Sequence, residues 1–318
     1  LYKSPDNIIW VGTYKNGLNY YHEQLYQFKL FRSQPHETDI YFSNDVNCFA
    51  EDQLGNLWIG TNGEGLVYFD RARKLFKTYR HNPSNPSGLS SDIIVHLCVD
   101  YKNRLWIGTY QGGLNCFDGK RFQHYRNQPG NPASLSDNRV WQVFEDRNQR
   151  LWIGTLGGGL DLYDEETDAF VHHQTGDYNS VTSNFILALQ QDRQGNLYVG
   201  PSDGLDVLDA QSGRFRHYGY QANDSKGLSH PSVLSVLEDS AGRLWVGTRK
   251  GLNLFHRDSS TFQVFGHEHG LSDNNIISML EDEEGSVWIA TLNGLSKLTV
   301  GEKGAVTFKN YDVLDGLQ

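Results

Sequence analysis

One short motif, Trp-Val/Ile-Gly-Thr, recurs along the chain at a nearly constant spacing. Its intact copies begin at Trp10, Trp58, Trp106, Trp152 and Trp245. Two looser copies begin at Tyr198 and Trp288. Successive copies lie 43–48 residues apart. A fixed period of this size indicates a repeat architecture, so the motif residues belong first of all to the scaffold.

Each repeat has the pattern of four short antiparallel strands. In the copy from Val46 to Tyr79, short alternating apolar runs are separated by turn residues such as Asp52-Gln53-Leu54-Gly55-Asn56. A four-stranded meander of this length is one blade of a propeller. We therefore predict an all-β fold, a seven-bladed β-propeller of four-stranded antiparallel blades that forms a single domain over residues 1–318. The predicted blades are 1–37, 45–80, 92–126, 138–174, 184–219, 232–266 and 275–312.

The composition restricts the partners. A formal net charge of −10 argues against nucleic acid and against an anionic membrane surface, which both need a basic footprint. No apolar stretch approaches the roughly 18–20 residues of a membrane span, so we expect no membrane insertion. The three cysteines lie in predicted strands and are interpreted as small buried residues.

The repeat has the longer pattern Asp-x-x-Gly-x-Leu-Trp-Ile-Gly-Thr-x-x-Gly-Gly-Leu-x-x-Phe/Tyr-Asp. It is clearest at Asp52–Asp70, Asp100–Asp118 and Asp146–Asp164. This pattern resembles the two-component regulator propeller repeat. The resemblance extends over all seven copies. It implies the sensor region of a bacterial two-component or hybrid signalling protein, on the periplasmic or extracytoplasmic side of an inner-membrane receptor. Characterised relatives in gut bacteria sense oligosaccharides.

The same resemblance implies that the chain is a fragment of a longer receptor. A neighbouring propeller or linker domain is then an expected partner within the parent protein, and a kinase or cyclase output domain is expected elsewhere in it. Homodimerisation is left open.

Specificity is expected where the repeats differ, in the loop after each Gly-Thr and in the segment entering each inner strand. These loops are expected at one face of the propeller, around the mouth of its channel. The candidate ligand-binding residues are Tyr14, Lys15, Asn62, Glu64, Tyr110, Gln111, Arg139, Trp141, Asn184, Asp203, Arg249 and Lys250. Aromatic, amide and charged side chains together suit a small polar molecule or an oligosaccharide, and the cations favour an anionic sugar. Trp141 has two interpretations, as a core residue of the inner strand or as a stacking platform.

No motif points to catalysis. His267-Glu268-His269 lacks the spacing of a zinc helix, and neither a nucleophile elbow nor a phosphate loop occurs. We therefore predict no catalytic residue, no metal and no cofactor. A non-catalytic ligand sensor is favoured, and two alternatives stay open. They are a propeller enzyme such as a polysaccharide lyase or glycosidase, and a protein-interaction or dimerisation platform.

Overall fold

The computed structural model describes residues 45–301, 304–315 and 317, together with three N-terminal strands. In this part of the chain the regular elements are β-strands, apart from short 3-10 turns at His267–His269 and Val313–Asp315. The N-terminal strands are β1 (Tyr2–Lys3), β2 (Ile9–Thr13) and β3 (Gly17–Tyr21), and they form a three-stranded antiparallel sheet.

Six four-stranded antiparallel sheets follow, here named blades 1 to 6, and each is a simple meander. Blade 1 consists of β4 (Val46–Glu51), β5 (Leu57–Thr61), β6 (Leu66–Asp70) and β7 (Leu75–Tyr79). Blade 2 consists of β8 (Ile94–Val99), β9 (Leu105–Thr109), β10 (Leu114–Phe117) and β11 (Phe122–Tyr125). Blade 3 consists of β12 (Val140–Glu145), β13 (Leu151–Thr155), β14 (Leu160–Asp164) and β15 (Ala169–His173).

The second half of the chain repeats the arrangement. Blade 4 consists of β16 (Ile186–Gln191), β17 (Leu197–Pro201), β18 (Leu205–Leu208) and β19 (Phe215–Tyr218). Blade 5 consists of β20 (Val233–Glu238), β21 (Leu244–Thr248), β22 (Gly251–His256) and β23 (Thr261–Phe265). Blade 6 consists of β24 (Ile276–Glu281), β25 (Val287–Thr291), β26 (Gly294–Val300) and β27 (Val306–Tyr311). The inner strands β4, β8, β12, β16, β20 and β24 contact one another in this order.

The prediction of seven blades is wrong, although the all-β propeller of four-stranded antiparallel blades is confirmed. The described residues form six such blades, and the N-terminal sheet has three strands. Among the described residues β1 pairs with β2 at two positions, Tyr2 with Trp10 and Lys3 with Ile9. The rest of the predicted first blade, 22–37, lies outside the described residues. In the sequence, Ser4 stands six residues before Trp10, where each later repeat has an Asp six residues before its motif aromatic.

That aspartate organises the first turn of each blade. In blade 3, Oδ1 of Asp146 accepts the backbone amides of Asn148 and Arg150 at 2.9 and 3.0 Å. Its Oδ2 accepts Nε of Arg150 at 2.7 Å and the indole N–H of Trp152 at 3.0 Å. Asp100 and Asp239 make the same bonds in blades 2 and 5. We use the name aspartate cluster for three groups together. They are the turn Asp, the motif aromatic and the cation that binds this Asp.

Neighbouring blades pack through the motif itself. Trp106 is 1 % exposed and packs in one apolar cluster with Leu135, Val140 and Val143, which belong to blade 3 and the segment before it. A Cβ on the motif glycine Gly108 would lie 2.8 Å from Cγ1 of Val140, so no larger residue fits between the two blades. The same contact recurs between Gly247 and Ile276.

Replacing Asp239 with Asn should lower the free energy of unfolding by about 2–4 kcal/mol, because Arg243 and Trp245 lose a charged acceptor in the interior. Asp52→Asn is the matched control. Asp52 is half-buried and no cation binds its carboxylate among the described residues, so its loss should be about 1 kcal/mol. Urea denaturation of both variants measures the difference, and equal losses would contradict this account.

A buried histidine should make stability depend on pH. Nδ1 of His96, on β8, is buried and has no hydrogen-bond partner among the described residues. Burial lowers the pKa of His96 to about 4, against the opposing effect of the Val143 carbonyl. The unfolded chain binds this proton near pH 6.5 and the folded chain only near pH 4, so stability is lost as the pH falls through that window. His96→Gln should reduce the slope there by up to about 1.4 kcal/mol per pH unit, and an unchanged slope would refute the assignment.

Candidate functional site

The loop after each Gly-Thr has the same construction in successive blades. Oγ1 of Thr109 donates to the Gly113 carbonyl at 2.7 Å, and Oγ1 of Thr155 donates to the Gly159 carbonyl at 2.9 Å. Gly113 has a φ of 79°, and a Cβ there would collide with the carbonyl oxygen of Tyr125. The threonine and the glycine therefore fix the backbone of the loop, and the residues between them are free to differ.

These loops lie beside the segments that enter the inner strands. In four blades the residue after the motif, which ends in Gly-Thr or, in blade 4, in Gly200-Pro201, donates its backbone amide to the carbonyl of the residue just before the inner strand. The pairs are Asn62 with Asp45, Tyr110 with Ile93, Leu156 with Arg139, and Ser202 with Phe185, all at 3.0–3.1 Å. The two sets of variable residues therefore share one end of each blade, which we call the loop face.

Arg139 is held in an ion pair on the loop face. Its Nε and Nη2 donate to Oδ1 and Oδ2 of Asp137 at 3.0 and 2.6 Å. The hydrogen bond that Arg139 donates to Asp137 raises the pKa of Arg139, and the charge interaction with Tyr110 of blade 2 adds a smaller contribution. Arg139 and Tyr110, both predicted site residues, thus lie within range of a charge interaction. Asp137 was missed, although it stands only two residues before Arg139.

A second cationic group lies on blade 5. The side chains of Arg249 and Lys250 are exposed. Burial, followed by the charges of Arg249 and Lys250, lowers the pKa of His230. The ring of Tyr220 lies 6.4 Å from that of His230. His230 and Tyr220 are not among the residues predicted from the sequence, although both stand in the segment that enters β20.

The candidate residues of blade 1 have partners within the same blade or its entry segment. Nδ2 of Asn62 donates to Oδ2 of Asp45 at 2.9 Å. Glu64 forms an ion pair with Arg80, which follows β7. These contacts position the two side chains and leave both partly exposed at the loop face.

Asn184 is engaged in loop structure. Its Oδ1 accepts the Thr175 amide at 2.8 Å, and its carbonyl accepts the amides of Gly157 and Gly159. Asn138, at the equivalent position one blade earlier, accepts the Asn127 amide in the same way. The repetition of this bond shows that the side chain of Asn184 closes a connection between blades.

Trp141 sits at a β-bulge. The register between β12 and β13 shifts between Val140 and Gln142, so Trp141 is left out of the ladder and is half-buried. The other inner strands shift at the equivalent residue, at Asn47, Val95, Leu187, Leu234 and Ile277. The bulge makes this position irregular in every blade, and the two interpretations of Trp141 stay predictions.

The remaining candidates are placed as follows. Gln111 and Asp203 are exposed, and Gln111 has a left-handed backbone with a φ of 69°. Tyr14 and Lys15 lie outside the described residues. Within the described ranges the Arg139–Tyr110 pair and the Arg249–Lys250 pair belong to different blades, and no direct bond joins them.

Two further features are absent from the described part of the chain. No group of three His, Cys, Asp or Glu side chains is arranged there to hold a metal ion. None of its helical segments has the length and apolar character needed to span a membrane.

Comparisons with known proteins agree with the repeat pattern. The family described as two component regulator propeller matches residues 40–63, 88–111, 134–157, 180–203, 227–250 and 270–293. These six matches coincide with blades 1 to 6, and each runs from the segment before an inner strand to the loop after Gly-Thr. The comparison with curated proteins finds no match.

Several solved structures are similar to this chain. The extracellular domain of a hybrid two component system from B. thetaiotaomicron has a TM-score of 0.71 and 25% identity, over 85% of this chain and 35% of that one. The extracellular domain of a one component system from the same organism has a TM-score of 0.50 and 20% identity, and the match covers 98% of this chain and 54% of that one. Virginiamycin B lyase from Staphylococcus aureus shares the fold. Its TM-score is 0.63 and its identity is 11%, over 84% of each chain.

The present chain thus spans about a third and about a half of the two bacterial extracellular domains. Six repeats of the matching pattern account for every blade that the structure describes. The chain belongs to the two component regulator propeller family.

Proposed function

We propose that this propeller is the ligand-sensing region of a bacterial signal-transduction receptor, exposed on the periplasmic side of the inner membrane. Family membership and the similarity to an extracellular domain of a hybrid two component system support a sensing role. The proposed ligand is an oligosaccharide or a similar polar molecule that binds at the loop face.

The observation that carries this proposal is a uniform scaffold with variable side chains. Asn62, Tyr110, Leu156 and Ser202 make the same backbone bond in four consecutive blades, yet their side chains are an amide, a phenol, an aliphatic group and a hydroxyl. A structural requirement at this position would restrict the side chain. Loops that vary on a rigid framework are the usual carriers of recognition.

The charges of the loop face favour an acidic group on the ligand. Arg139, Arg249 and Lys250 are exposed or partly exposed cations on a protein with a net charge of −10. A guanidinium can bind a carboxylate or sulfate through two parallel hydrogen bonds. Tyr110, close to Arg139, offers a flat ring to an apolar sugar face.

Signalling would follow from a difference in ligand affinity between two arrangements of the receptor. A ligand that contacts both this propeller and a neighbouring domain, or a second copy of the receptor, favours the arrangement in which both contacts form. The similarity to a lyase, at 11% identity, extends to the fold only and gives no reason to prefer an enzyme.

A screen of neutral, uronic-acid and sulfated oligosaccharides by thermal unfolding tests the proposal. A ligand present at 100 times its dissociation constant should stabilise the folded state by about 2.7 kcal/mol. The double change Arg139→Ala and Arg249→Ala should weaken an acidic ligand at least tenfold, or by about 1.4 kcal/mol, in calorimetry.

Lys120→Ala is the control, because it removes an exposed cation from the turn between β10 and β11, at the other end of blade 2. It should leave the affinity unchanged. Failure of every sugar to stabilise the protein would refute oligosaccharide sensing. Equal affinity of the double variant and the wild type would exclude the loop face as the site.

A further inference from the structure

In most blades a cation of the chain itself covers the motif aromatic and binds the turn aspartate. Three such cations stand two residues before the tryptophan. The guanidinium carbons of Arg104, Arg150 and Arg243 lie 5.4, 5.3 and 6.0 Å from the ring centroids of Trp106, Trp152 and Trp245. Their Nε atoms lie 2.6–2.7 Å from the turn carboxylates.

Two blades lack an arginine at that position and take their cation from elsewhere. Blade 4 has Asn196 there, and Arg257 from blade 5 lies 5.9 Å from the Tyr198 ring and 3.6 Å from Asp192. Blade 6 has Ser286, and Lys297 of β26 lies 5.1 Å from the Trp288 ring and 2.9 Å from Asp282. Because three unrelated sequence positions supply the same cation, the place itself favours a positive charge.

Blade 1 is the exception among the described blades. Asn56 stands two residues before Trp58, and within the described residues no cation covers Trp58 or binds Asp52. Oδ2 of Asp52 has only long contacts, to Nδ2 of Asn56 at 3.3 Å and to the Tyr68 hydroxyl at 3.4 Å.

The indole of blade 1 is correspondingly unbound. The tryptophans of blades 2, 3, 5 and 6 donate their N–H to the turn Asp at 2.7–3.0 Å. Trp58 is 8 % exposed, and its N–H has no hydrogen-bond partner among the residues that the structure describes. Tyr68 occupies the strand position of Lys297, and its ring lies 4.5 Å from that of Trp58.

A cleft of about 320 Å³ opens at this point between blades 1 and 2, at the end of the blades opposite the loop face. Tyr79 and Phe117 also line it, with ring centroids 5.9 and 5.8 Å from that of Trp58. The carboxylate of Asp52 and the side chain of Asn103 also line the cleft. Several aromatic rings beside a carboxylate bind an organic cation by combining cation–π attraction with an ion pair.

We propose that this cleft binds a guanidinium or primary ammonium group of a ligand, which takes the place that the chain's own cations occupy in blades 2 to 6. The net charge of −10 favours the approach of a cation. The site is separate from the loop face, so it does not depend on the function proposed above.

One cation of the chain, Lys77, itself lines the cleft. Nζ of Lys77 is 4.6 Å from the centroid of the Tyr79 ring, and Lys77 forms no ion pair within the described ranges. Lys77 is thus a competitor for the same rings. Lys77→Met keeps the apolar stem and removes the charge, and it should tighten binding of a cationic ligand two- to tenfold.

Agmatine, which carries both a guanidinium and a primary ammonium group, is the probe for the first experiment. Its binding is measured by calorimetry and by the shift of the Trp58 indole N–H resonance, which Trp58→Phe assigns. Agmatine should bind with a dissociation constant of about 1 mM or below, which corresponds to a binding free energy of about −4 kcal/mol or a more negative value. N-(4-hydroxybutyl)urea is the neutral analogue, because a urea replaces the guanidinium and a hydroxyl replaces the ammonium, and it should bind at least tenfold more weakly.

Asn56→Arg is the decisive variant, because it gives blade 1 the arginine that blades 2, 3 and 5 have. It should raise the melting temperature and weaken agmatine at least tenfold. Ser286→Arg, the same kind of change in blade 6, where Lys297 already fills the place, is the matched control and should leave agmatine binding unchanged.

The source of the cation is distinguished by comparing agmatine with the peptide Gly-Arg-Gly. Tighter binding of the peptide identifies a protein or peptide ligand, and tighter binding of agmatine identifies a free small molecule. The proposal is overturned if agmatine produces no shift at about 10 mM. It is also overturned if the neutral analogue binds equally well, or if Asn56→Arg binds agmatine as the wild type does.

Discussion

The structure depends on a carboxylate placed at the first turn of every described blade. Asp146 and Asp239 are almost completely buried, and each binds two turn amides, an indole N–H and a guanidinium. A buried charge without partners would cost several kcal/mol, so a fully buried turn Asp needs an accompanying cation, whereas Asp52 of blade 1 is only half-buried and has none among the described residues. This explains why blades 4 and 6 take Arg257 and Lys297 from outside the motif when the usual arginine is missing.

The aspartate cluster also orients the motif for packing between blades. With its N–H bound at the turn, Trp152 presents its ring to the next blade, and the small residue Gly154 lets Ile186 of β16 approach its backbone. Scaffold contacts are thereby concentrated in the first three residues of the motif and in the inner strand. The loop after the motif is fixed by Thr155 and Gly159 and contacts the next blade through backbone bonds to Asn184, so its side chains can vary.

The sequence predicted the four-stranded blades and the end of each blade where variable loops gather, because both follow from local patterns that repeat. The prediction of seven blades counted every copy of the repeat, and the N-terminal copy has Ser4 where the other copies have the turn Asp. The Asp137–Arg139 pair was not predicted, since a pair two residues apart depends on the conformation of its loop. The cleft at Trp58 was also missed, because a missing arginine at Asn56 matters only once Arg257 and Lys297 are known to replace it elsewhere.

The two ends of the blades therefore offer different kinds of recognition. At the loop face, under the function proposed above, a ligand would add contacts to a framework that the backbone bonds of each loop already hold in place. At the cleft between blades 1 and 2 a cation would complete an aspartate cluster that the chain leaves unfinished, at Asp52 and Trp58. A cation bound there would supply the interaction that the other blades form with cations of the chain itself. Its binding free energy would therefore stabilise the packing of blade 1 against blade 2. Among the described blades, blade 1 is the one whose stability a cationic ligand can change most.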